Sequence, residues 1–142
     1  MKEMIYEKAI KLLNESNTLA VSVIDVDNFP KIYPMEKVIS HKLDKIFFIT
    51  KKDSNKVNLL RINNKCCVEV HTEDDYVSLK GIIEINQNEE EKKRILPYEY
   101  LERLARSGSE KYCVLIFKTL ESYIYIYGES EKIIKDTVEL LN

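Results

Sequence analysis

Apolar residues follow two different rhythms along this chain. Near the N-terminus Met4, Ile5, Ala9, Ile10, Leu12 and Leu13 fall on or near one helical face, so MKEMIYEKAIKLLNES predicts an amphipathic helix. The period then shortens to two. Leu19, Val21 and Val23 alternate with Ala20, Ser22 and Ile24. The Asp27-Asn28 pair supplies turn chemistry, and Pro30 opens a return strand, which together predict a hairpin. A turn between His41 and Asp44 leads to a third strand, Lys45 to Thr50. Val57, Leu59, Leu60 and Ile62 predict a short helix from about Ser54 to Asn63, ended by the Asn63-Asn64 pair. CCVEVH and YVSLKGIIEI read as the fourth and fifth strands, with Gly81 marking a bulge or a close approach of chains.

The second half starts with a charged helical stretch, NQNEEEKKRILPYEYLERLARSGSE, interrupted at Pro97 and stopped near Gly108. KYCVLIFKTLESYIYIYG predicts two strands about a short turn, and SEKIIKDTVELLN a terminal helix. Strands outnumber helices and most are joined by short turns. That order fits a small antiparallel barrel with helices packed outside it, not a βαβ array.

Composition narrows the function classes. The 142 residues suffice for one domain with a real core, and 44% apolar with 32% charged is ordinary globular usage. With 22 basic against 24 acidic residues, nothing global drives the chain toward nucleic acid or anionic membranes. No stretch resembles a membrane span or a signal peptide. Cys66, Cys67 and Cys113 lie in apolar runs and read as free thiols in a reducing cytoplasm. With no CxxC and two histidines, His41 and His71, a metal site is not expected. No Ser-His-Asp set, paired carboxylates or HExxH pattern supports hydrolysis.

One cluster carries candidate chemistry. TKKDSNK, residues 50–56, stands where the third strand ends and the short helix begins. Helix starts present unpaired N–H groups and positive potential, Ser54 and Asn55 can donate hydrogen bonds, and Lys51, Lys52 or Lys56 adds full charge. Those are the ingredients of a phosphate seat. The same residues also fit a plain solvated turn in which Asp53 or Ser54 caps the helix.

With its neighbours, that cluster resembles the pyridoxamine 5'-phosphate oxidase-like family of FMN-binding split barrels, in outline its general-stress-protein and nitroimidazole-resistance-related branches. The likeness runs from about Glu15 to Gly128. It rests on LAVSVID, FPKIYPMEKVI, KIFFITKKDSNKVNLLRINNKCCVEV, YVSLKGIIEI and YCVLIFKTLESYIYIYG. It implies a mainly β fold, a six-stranded antiparallel split β-barrel flanked by N- and C-terminal helices, in one domain spanning residues 1–142.

The resemblance also implies roles. Lys56, Ser54 and Asn55 would hold the phosphate of FMN. Thr50 and Lys51 would lie beside the ribityl chain or ring edge, and Tyr33, Pro34 and Met35 would run along the isoalloxazine. The flavin would sit at a homodimer interface, with Tyr76 of the other copy at the ring's opposite edge. Family members often carry an arginine on the second strand and another beside the lysine. Here Tyr33 and Asn55 stand at those positions. The chain has no Trp, so the tryptophan that recognises pyridoxal phosphate has no counterpart, and a genuine pyridoxamine phosphate oxidase is not expected.

The resulting expectation is a cytoplasmic FMN-dependent oxidoreductase of unassigned substrate, with no catalytic residue named. The alternatives are a non-catalytic dimer binding flavin, haem or another planar ligand, and a purely structural dimer. Tyr123, Tyr125 and Tyr127 are expected on one strand face, as a ligand groove or a dimer contact. NEEEKKR is expected to be a solvated helix face, His71 a surface residue, and the thiols without redox function.

Overall fold

The computed structural model describes residues 2–134. In chain order the elements are α1 (Lys2–Glu15), β1 (Thr18–Ile24), β2 (Pro30–His41), β3 (Lys45–Lys51), α2 (Asn55–Ile62), β4 (Lys65–His71), β5 (Tyr76–Asn86), α3 (Glu89–Ile95), α4 (Tyr98–Ser107), β6 (Tyr112–Ile126) and β7 (Glu129–Ile134). The sheet order is β3-β2-β1-β4-β5-β6-β7, and β3 also pairs with β6. That last pairing closes six antiparallel strands into a barrel and leaves β7 as an extra strand on β6.

Alternation dictates which side chains line the interior. Leu19, Val21 and Val23 of β1 point inward and join Ile46, Phe48, Val68, Leu79, Leu115 and Phe117 in the main core. Ile5, Ala9 and Leu13 of α1 enter the same core, as do Val57, Leu59 and Leu60 of α2. The outward face of β3 and β6 is buried separately: Phe47, Ile49, Val114 and Ile116 pack with Leu96 and Leu104, which come from the end of α3 and from α4. Helices therefore cover the barrel on the β3/β6 side.

Two lysines are buried for structural reasons. Lys37 donates from Nζ to the carbonyl oxygens of Leu13 (2.6 Å) and Asn14 (3.0 Å), satisfying orphan acceptors at the end of α1. Burial lowers its pKa from the ordinary lysine value. Lys92 of α3 bridges Glu89 (2.8 Å) and the Ser109 carbonyl (3.0 Å). The NEEEKKR run is thus not wholly a solvated face. The first of its two lysines, Lys92, is only 2% exposed, because α3 packs that side against the turn after α4. The Lys92 and Ser109 contacts in turn lower the Glu89 pKa.

Two further expectations are corrected. Residues 112–126 form one strand, not two about a turn. The polar TLES interruption is a bulge: Lys80 pairs with Glu121 and Gly81 with Thr119, leaving Leu120 as the extra residue. Thr119 is buried there and donates from Oγ1 to the Leu43 carbonyl at 2.6 Å. The expected terminal helix also fails in its first part, since Glu129–Ile134 pairs with β6 as a strand. Its remainder, residues 135–142, lies outside the described residues. Tyr127 falls in the turn beyond β6 at φ 57°, off the face shared by Tyr123 and Tyr125.

Candidate cofactor site

β3 ends at Lys51, and α2 begins four residues later with Ser54 at its N-cap position. Ser54 has the extended backbone of a cap (φ −71°, ψ 156°), yet its side chain makes no capping bond. Its Oγ is buried with no hydrogen-bond partner. A buried hydroxyl left unpaired costs about 1–3 kcal/mol. The plain capping role offered by the sequence therefore gets the position right and the bond wrong.

Across from α2 runs the free edge of β2. The first β2–β3 pair is Lys37 with Phe48, so residues 30–36 extend past β3. Tyr33 pairs with Val21 and shares its inward face, where its ring packs on the core. Its hydroxyl accepts a hydrogen bond from Asn55 Nδ2 at 3.1 Å, and Lys56 Nζ stands 5.7 Å from its ring centroid. Tyr33, more than twenty positions from Asn55 and Lys56 in sequence, thus meets them beside Ser54.

The other expected residues are distributed differently. Thr50 lies on the inward face of β3 and is buried, whereas Lys51 points to the opposite face and is exposed. Met35 buries its side chain in the core, so only its backbone is available to a ligand. Pro34 faces outward, opposite Tyr33 and Met35. Tyr76 stands on the outer face of β5, stacked on Tyr123 (5.8 Å) and Tyr125 (5.5 Å), with the barrel wall between it and Tyr33. Within one chain it does not join the seat.

One residue escaped the sequence reading. Lys31 Nζ lies 5.3 Å from the Tyr33 ring centroid. Its signal was available, since residues two apart on a strand share a face. Among the described residues no group of three or more His, Cys, Asp or Glu is placed to hold a metal ion.

A family model described as pyridoxamine 5'-phosphate oxidase like matches residues 5–119. The chain belongs to this family. The pyridoxamine 5'-phosphate oxidase-like match starts ten residues before the likeness read from sequence and so takes in most of α1. A search of the curated proteins finds no match. Among solved structures, a protein related to general stress protein 26 from Clostridium acetobutylicum superposes with a TM-score of 0.83 at 19% identity, covering 97% of this chain and 99% of that one. General stress protein 26 from Bacillus anthracis gives 0.69 at 18% identity, covering 93% and 98%. A heme binding protein from Mycobacterium smegmatis gives 0.73 at 11% identity, covering 92% of this chain and 57% of that one. At these identities the likeness is one of fold.

Proposed function

We propose that this protein is an FMN-binding flavoprotein that works as a homodimer. The observation that carries the reading is the unpartnered, buried Ser54 Oγ at the start of α2, with Asn55, Tyr33 and Lys56 gathered beside it. Those groups suit a phosphate: a hydroxyl, an amide, a phenol and an ammonium, beside the free N–H groups of a helix start. The residues present therefore fit FMN. Ser54, Asn55 and Lys56 would hold its phosphate, with Thr50, Lys51 and the β2 backbone from Tyr33 to Met35 along the rest of the cofactor. Bound flavin supplies electron transfer, and these side chains bind and orient it. The buried thiols suit a reducing cytoplasm: burial pushes Cys66 up to about 12 and also raises Cys113, so neither is a ready thiolate.

The test is an absorption spectrum of the purified protein, followed by titration with FMN while its fluorescence is read. Flavin bands, or saturable quenching at micromolar FMN, support the reading. A colourless protein without quenching overturns it. A second reading, planar-ligand binding without turnover, draws on the fold likeness to the M. smegmatis heme binding protein. It predicts ligand retention with no oxidation of reduced nicotinamide.

The homodimer rests on the bare side of the barrel. Where α3 and α4 leave it uncovered, outward positions of β2, β1 and β4 align Ile32, Ser22 and Cys67 in one row and Pro34, Ala20 and Glu69 in the next. Ile32 is 69% exposed, and a groove of about 480 Å³ is lined by Ser22, Ile24, Pro30, Cys67, Ile82 and Leu120. An apolar patch of this kind marks an interaction surface. The family likeness would have Tyr76 of a second copy reach the flavin's ring edge across such an interface. Ile32→Asp is expected to turn a sedimenting dimer into a monomer and to speed maleimide labelling of Cys67, the exposed thiol. A wild-type monomer, or a variant that stays dimeric with Cys67 still protected, removes this face as the interface.

A further inference from the structure

We propose that Lys31 is a second phosphate-binding cation, and that Lys31 and Lys56, both held against the Tyr33 ring, form a two-charge clamp for a dianionic phosphate monoester. The inference rests on the flavin reading and specifies which group of the ligand is recognised and by what. Lys31 is exposed, stands two positions before Tyr33 on the same face of β2, and lies on the part of that strand that runs past β3. Its Nζ is 5.3 Å from the ring centroid and that of Lys56 is 5.7 Å. With each Nζ this close to the same ring centroid, the two like charges stand no more than about 11 Å apart, and an anion that both can reach relieves their repulsion.

The rest of the seat agrees. The Tyr33 hydroxyl accepts from Asn55, which leaves its own O–H free to donate to a ligand oxygen. Ser54 Oγ is likewise without an acceptor. The groups acting on Lys31 are Tyr33 and, less strongly, Asp25 and Asp27; together they raise its pKa, so it stays cationic at neutral pH. Both aspartates already commit an oxygen to their own turn, Asp25 to the Val26 N–H and Asp27 to the Phe29 N–H. A phosphate monoester has a second ionisation near pH ~6, so at neutral pH its charge approaches the two that the lysines offer.

The experiment titrates wild type and Lys31→Met with FMN and with riboflavin between about pH 5 and 7.5, following flavin fluorescence. Wild type is expected to prefer FMN, with an affinity that climbs as the phosphate gains its second charge. Lys31→Met should lose about tenfold in FMN affinity, flatten that climb and leave riboflavin unchanged. An FMN-to-riboflavin preference equal in the two proteins overturns the clamp while the flavin reading stands. A loss shared by riboflavin also overturns it, because Lys31 would then serve the ring or the fold. Absence of quenching by either flavin in wild type brings down the flavin reading and the clamp together.

Discussion

Gly81→Ala is expected to cost this barrel about 3 kcal/mol or more, toward the top of the range for overpacked cores. A Cβ at Gly81 would collide with the Lys118 carbonyl oxygen and come within 2.7 Å of Phe117 Cζ. Neither obstacle can move cheaply. The carbonyl belongs to the β5–β6 ladder, where Ile82 pairs with Lys118, and Phe117 is fully buried in the main core. Against a total stability of roughly 5–15 kcal/mol, the change threatens folding itself. Urea unfolding of both proteins reads the difference as a shift of midpoint at similar slope. Gly128→Ala makes the control: its φ of 76° strains any side chain, but nothing stands within 4 Å, so the loss should stay near ~1 kcal/mol. If the two alanines cost the same, close approach is not what Gly81 provides.

That glycine was legible in the sequence as a bulge or a contact, although the extra residue of the bulge proved to be Leu120 on the facing strand. β1, β2, β4, β5 and α1 were legible because each buries one face, and burial of one face writes a period of two or 3.6, whereas β3, buried on both faces, was legible as a short continuous apolar run. β6 was not. Its TLES segment has the composition of a turn, and nothing local reveals that Thr119 finds an acceptor in Leu43, 76 positions away. β7 was misread for a related reason. Its isoleucines and charges suit a helix, but the open edge of β6 offers pairing from Glu121 to Ile126, and tertiary pairing overrides propensity.

The site divides along the same line. Ser54, Asn55 and Lys56 are neighbours in the chain, so a strand end followed by a helix start was enough to find them. Tyr33 entered only through family likeness, and its contact with Asn55 depends on β2 running past β3 to meet α2. Lys92 shows the opposite error, a charge in a charged run whose burial is set by a carbonyl 17 positions on. Local chemistry is readable from sequence, whereas partners brought in by the closure of the barrel are not.

Lys56→Ala is expected to remove most of the FMN affinity without disturbing the fold. Lys56 is half-buried, and apart from its ammonium over Tyr33 it leaves the α2 core contacts to Val57, Leu59 and Leu60. A hydrogen bond to a charged group is worth about 1.5–3 kcal/mol, so truncation should weaken FMN by roughly ten- to a hundredfold and strip flavin during purification. Riboflavin, which has no phosphate, should bind both proteins alike. Added salt should weaken FMN binding to wild type more than to the variant, because one full charge no longer takes part. Unfolding by urea should superimpose, since alanine keeps helix propensity and no buried contact is lost. The contrast with riboflavin decides the matter. Equal losses for both flavins would place Lys56 at the ring and leave the phosphate to other groups. No loss for either would return TKKDSNK to a solvated helix start, with Ser54 Oγ an unpaired hydroxyl that the fold tolerates.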